Sequence, residues 1–86
     1  MYWCYVIYSI TRLQYYVGVT DDVTRRVQDH NNGISKWTKD KGPWILEWSR
    51  EFISLGDARK FENRLKRQKG GAGFYQLTGI AQKNGP

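Results

Sequence analysis

The chain has 86 residues, with 14 Lys or Arg against 8 Asp or Glu, 40% hydrophobic and 15% aromatic content and a single cysteine. That length supports one small core, assisted by large aromatic side chains, and argues against a deep enclosed cavity. One Cys4 and one His30 supply neither a disulfide nor the four ligands of a structural zinc site. The longest apolar run, Tyr2 to Tyr8, is far short of a membrane helix, and no signal-peptide pattern opens the chain, so a reducing cytoplasm is the expected compartment and no membrane partner is expected.

The net charge is +6, and its distribution is uneven. Residues 34–43 carry Lys36, Lys39 and Lys41 against Asp40. Residues 55–69 carry Arg59, Lys60, Arg64, Lys66, Arg67 and Lys69 against Asp57 and Glu62, while the basic and acidic residues elsewhere cancel. An excess confined to two segments is what a polyanion-binding surface requires.

In chain order, Tyr2–Ser9 and Tyr15–Thr20 are rich in aromatic and β-branched residues and read as a hairpin, whose connection Ile10–Gln14 holds no Gly, Asn or Pro to define the turn. A hairpin centred between Ile10 and Thr11 would set Tyr5 directly opposite Tyr16. Asp21 or Asp22 caps a helix from about Val23 to His30, which Asn31-Asn32-Gly33 ends. A polar basic loop follows, then a third strand from Trp44 to Glu51. Ser54-Leu-Gly-Asp57 resembles a capping box and opens a helix over about 55–68. The segment from residue 71 reads as a tail that holds a short helix around Tyr75–Leu77 and then frays. The expected organisation is a domain over 1–70 and a tail over 71–86. The expected fold class is α+β, a three-stranded, mainly antiparallel sheet flanked by helices.

Polar residues sit where apolar ones are expected. Val23, Arg26, Val27 and His30 share one helical face, with Arg25 pointing away from it. Glu62 falls between Leu55 and Ala58 on the apolar arc of the second long helix, where the ordinary reading is an ion pair with Arg59 or Lys66. Taken together, an anion-binding Arg26, a titratable His30 and a Glu62 suited to a hard cation, all facing a Tyr-rich sheet, suit phosphate chemistry.

The chain resembles the GIY-YIG nuclease superfamily, in its small stand-alone bacterial form. The half-motifs are Trp3-Cys4-Tyr5 and Tyr16-Val17-Gly18; Thr20–Asn31, the basic Gly33–Lys39 loop, Gly42-Pro-Trp44 and Ala58–Lys66 complete the pattern. Trp3-Cys4 stands where the family name has Gly-Ile, and Val19 stands where some relatives carry a basic side chain. The resemblance implies a metal-dependent endonuclease in which Tyr5 is the general base or proton relay, Tyr16 assists at the scissile phosphate and Arg26 stabilises the pentacovalent phosphate. His30 matches a position that takes part in catalysis in some relatives. It further implies that Glu62 is the sole protein ligand of one Mg²⁺ or Mn²⁺ ion, weakly held without substrate, and that Gly18 permits a close approach of the backbone. Arg25, Lys36, Lys39, Lys41, Arg59 and Lys66 are the expected nucleic-acid contacts. DNA is favoured over RNA, with substrate structure, a homodimer or a partner protein as the source of specificity. The competing expectation is a non-catalytic nucleic-acid-binding module on the same fold.

Overall fold

The computed structural model describes residues 1–69 and 71–82. Three strands, β1 (Tyr2–Ser9), β2 (Gln14–Thr20) and β3 (Trp44–Phe52), and three helices, α1 (Val23–Asn31), α2 (Leu55–Arg67) and α3 (Ala72–Thr78), follow one another as β1-β2-α1-β3-α2-α3. The sheet is antiparallel throughout, in the order β2-β1-β3. This is the expected α+β class.

Alternation along β1 divides the molecule into two unequal cores. Cys4 and Val6, with Tyr15 and Val17 of β2, face α2 and α3 and bury Leu65, Phe74 and Ile80. Tyr5 and Ile7 point the other way and pack with Trp44, Tyr16 and Val27 of α1. The two long helices therefore cover opposite faces of the sheet. Between Val6 and Ile7 the β1–β3 register slips, Val6 pairing with Trp48 and Ile7 with Leu46, so Glu47 is an extra residue on β3.

The hairpin register corrects the expected one. Tyr5 pairs with Gly18, and Tyr16 with Ile7. The loop occupies four residues, Ile10–Leu13, closed by a 2.9 Å bond from the Leu13 amide to the Ser9 carbonyl, with Leu13 in the left-handed region at φ 54°. A loop centred one residue later moves the register by two, which keeps Tyr5 and Tyr16 on one face while making them diagonal neighbours.

The helix caps follow the sequence signals. Asp22 accepts from the Arg25 amide, Ser54 accepts from the Asp57 amide, and Gly33 supplies the left-handed residue, φ 75°, just past α1. In the segment expected to be a tail, α3 runs from Ala72 to Thr78, longer than the helix expected at 75–77, because Phe74 is fully buried in the larger core. Tertiary burial there outweighs the low helix propensity of Gly73. Phe74 and Ile80 thus belong to the larger core, while the fraying expected at the very end lies outside the described residues. Among the described residues, no helix is long and apolar enough to cross a membrane.

Candidate functional site

The smaller core is polar at its centre. His30, in the last turn of α1, is 1% exposed, and Tyr5 is equally buried beneath it. The Tyr5 hydroxyl lies 2.7 Å from His30 Nε2, and the Thr38 hydroxyl lies 2.6 Å from His30 Nδ1. A neutral imidazole carries one N–H. Either Tyr5 donates to Nε2 while Nδ1–H donates to Thr38, or both bonds run in the reverse sense.

The helix C-terminus favours a charged histidine, yet burial wins here. Desolvation, helped by the neighbouring Arg26 guanidinium, lowers the His30 pKa to about 4. The same burial pushes the Tyr5 phenol well above the ordinary tyrosine value, with Arg26 opposing the rise. At neutral pH both partners are uncharged, so no buried ion is left without compensation. Cys4, under the opposite face, is raised to about 12 by burial and by Glu62, which rules it out as a thiolate nucleophile.

Tyr16 is half-buried, its ring 6.5 Å from that of Tyr5 and 5.0 Å, edge-on, from His30. Arg26 is partly exposed, with Asp29 at 3.8 Å, and acts electrostatically on both Tyr5 and His30. Gly18 admits no side chain: an added Cβ would stand 2.6 Å from the Tyr5 hydroxyl oxygen. The close approach at Gly18 is therefore made by the Tyr5 ring across the strand pair.

Glu62 stands apart from this cluster. It lies on α2, which covers the other face of the sheet, and is 9% exposed with its carboxylate 3.0 Å from Lys66 Nζ. That is the ion pair that helical spacing allows. Its charge is felt by both Cys4 and Tyr5. Lys66 shares a groove with Gln14, Tyr15 and Tyr16, consecutive residues of the β2 edge, and with Trp37, Lys41 and Lys69. The α2 row bearing Glu62 and Lys66 thus meets the Tyr16 side of the site around that edge.

Of the other basic candidates, Lys36, Lys39 and Arg59 are exposed, and Lys41 is partly exposed in the groove. Arg25 is exposed and held by Asp21 at 3.1 Å. The structure brings Tyr5, Tyr16, Arg26 and His30 together on one face, keeps Glu62 on α2 over the opposite face, and leaves Arg25, Lys36, Lys39 and Arg59 at the surface.

Two contributors carry no role in the sequence reading. Thr38 is 1% exposed and holds His30, while its carbonyl accepts the Trp44 indole N–H at 3.2 Å. Asn31 donates to the Trp44 carbonyl at 3.0 Å and accepts from the Trp44 amide at 2.6 Å, tying α1 to β3. Thr38 sits in a polar loop that gives no periodic signal. Asn31 follows His30 and ends the helix, so a capping role hides the strand contact.

The site is a buried Tyr–His couple beside an arginine, set in the smaller core of an α+β domain built on a three-stranded sheet. The chain belongs to the GIY-YIG family: the model of the GIY-YIG catalytic domain matches residues 1–76. Relatives include UPF0213 proteins of Vibrio campbellii, 40% identical over 65 residues, covering 74% of this chain and 62% of that protein, and of Halobacterium salinarum, 42% identical over 53 residues, covering 60% and 69%. The matched region thus spans about three fifths, 62%, of the Vibrio protein's length. Among solved structures, the solution structure of a UPF0213 protein from Bacillus halodurans is similar, with a TM-score of 0.56 and 29% identity, covering 90% of this chain and 82% of that one.

Proposed function

We propose that the chain is a metal-dependent endonuclease that hydrolyses phosphodiester bonds in nucleic acid, DNA in preference to RNA, and that it recognises single strands or substrate structure more than base sequence. The observation that carries this reading is the buried 2.7 Å contact between the Tyr5 hydroxyl and His30 Nε2 with Arg26 beside both. With Tyr5 donating to Nε2, the attacking water gives its proton to the phenol oxygen as the phenol passes its own to His30. This avoids a free phenolate, which burial makes costly. Thr38, accepting from Nδ1–H, holds the imidazole in the tautomer that leaves Nε2 open. Tyr16 orients the phosphate, and Arg26 offsets the charge that builds on its non-bridging oxygens.

The residues present fit one weakly held Mg²⁺ or Mn²⁺. Among the described residues no group of three or more His, Cys, Asp or Glu gathers to form a cage. A lone, mostly buried carboxylate suits a hard cation that keeps its waters and takes further oxygens from the substrate. Glu62 would hold it, and the ion would lend Lewis-acid stabilisation to the phosphoryl oxygens. Lys66 must then release Glu62, and that pair is the observation favouring the rival reading of a binding module without cleavage.

The test is a panel of single-stranded, branched and duplex DNA and of RNA, with Mg²⁺, with Mn²⁺ and with neither, using the native chain and Glu62→Gln. The nuclease reading expects cleavage that requires metal and is lost in Glu62→Gln while binding persists. No product from any substrate at high protein concentration refutes it.

A further inference from the structure

Trp37 is 71% exposed, the most exposed tryptophan of a chain that buries Trp44 to 5%. Leaving so large an apolar face in water is unfavourable, which makes an exposed indole informative when its surroundings are organised. Here they are. Trp37 lines the groove at the β2 edge with Tyr16, Lys41, Lys66 and Lys69, and among the described residues no carboxylate lines it. Its backbone is also mounted rigidly, because the next residue, Thr38, is buried, with its hydroxyl on His30 and its carbonyl on the Trp44 indole.

The ammonium groups in the groove are crowded. Partial burial and the nearby Lys66 both push the Lys69 pKa down, and Lys66 pairs with Glu62 at 3.0 Å. An anion in the groove would relieve Lys69, and would compensate Lys66 when Glu62 turns to a cation. A flat apolar face with cations around it, next to a phenol assigned to the scissile phosphate, has the chemistry of one nucleotide: a base to stack and phosphates on either side.

We propose that this groove is the seat of an unpaired nucleotide adjoining the scissile phosphate, with Trp37 stacking on the base and Lys41, Lys66 and Lys69 holding the flanking phosphates. The proposal rests on the nucleic-acid reading above and deepens it: the face that Trp37 needs is already covered in a continuous duplex, so the groove selects single-stranded or splayed segments. The shared chemistry is a nucleobase on a phosphate backbone, of either sugar.

The test separates the base from the charge. Binding is measured in EDTA, where no cleavage occurs, to oligo(dT), to oligo(U) and to an abasic deoxyribose-phosphate strand of equal length and charge. With the native chain, at least one base-bearing strand should bind about tenfold tighter than the abasic strand, the scale of one stacked base. Trp37→Ala should abolish that advantage and leave abasic-strand binding unchanged, while Trp37→Phe should keep most of it. Oligo(dT) against oligo(U) tells a DNA from an RNA occupant. Equal binding of all strands by the native chain, or a base advantage that survives Trp37→Ala, overturns the platform. Base-dependent binding in a chain that cleaves nothing in the metal panel refutes the nuclease reading and leaves the platform standing.

Discussion

Gly18→Ala is the smallest change that strikes the centre of the site. The added Cβ would lie 2.6 Å from the Tyr5 hydroxyl oxygen, 2.7 Å from Cζ and 2.9 Å from Cε1, against a comfortable separation of about 3.5–4.0 Å. The ring cannot swing aside. It is 1% exposed, packed with Ile7 and Trp44, and tethered to His30. Relief must come from moving the ring or the strand pair, which costs about 1–3 kcal/mol for overpacking, and from stretching the Tyr5–His30 bond, worth about 1 kcal/mol net. At about 4–8 °C per kcal/mol for a domain of this size, a loss of about 3 kcal/mol lowers Tm by about 12–24 °C. The assay pairs thermal unfolding by circular dichroism with NMR titration of the imidazole, which is unambiguous because His30 is the chain's single histidine. In the variant the His30 pKa should climb from about 4 towards the ordinary 6.5 as the packing loosens. A Tm drop below about 4 °C together with an unmoved His30 titration would show that the Gly18–Tyr5 contact does not constrain the site.

The remaining predictions concern pH and the helix tie. His30 binds a proton below about 6.5 when unfolded but only below about 4 when folded, so stability should fall as pH drops from 6.5 to 4, by on the order of 3 kcal/mol, and level off for this group below that window. Urea unfolding at pH 7, 5.5 and 4.5 measures it, and His30→Asn should flatten the upper half of the window; an unchanged slope would mean that His30 is not held neutral. Asn31→Leu removes two part-buried hydrogen bonds to the Trp44 backbone, so it should cost about 1–2 kcal/mol, whereas Asn31→Asp, which keeps the acceptor, should cost less; equal losses in urea denaturation would argue against the paired contact.

The elements were legible in the sequence because local signals agreed with the packing. Asp22 and Ser54 cap their helices, Gly33 ends α1, and the face of Arg26, Val27 and His30 turns inward. The hairpin register was not legible, since it depends on Leu13 adopting a left-handed conformation that no residue in Ile10–Gln14 advertises. Nor did the helical wheel say which face of the sheet each helix covers. That follows from strand order and from the alternation in β1, which sends Tyr5 towards α1 and Cys4 towards α2. Thr38 was invisible for a further reason: its partner His30 is eight residues away, across a loop whose path is set by the buried contacts themselves.

The division of the sheet into two unequal cores has a consequence for how the protein opens. Most of the apolar burial lies between the sheet and α2 with α3, whereas the α1 layer rests on Tyr5, Ile7, Trp44 and a few polar links. Free energy of local opening tracks such contact density. Amides of α1 and of the loop bearing Trp37 and Thr38 should therefore exchange with solvent through a partial opening that leaves α2 and α3 in place. The α1 layer, with Tyr5 and His30 at its centre, can loosen and close again while the α2–α3 side keeps the chain folded.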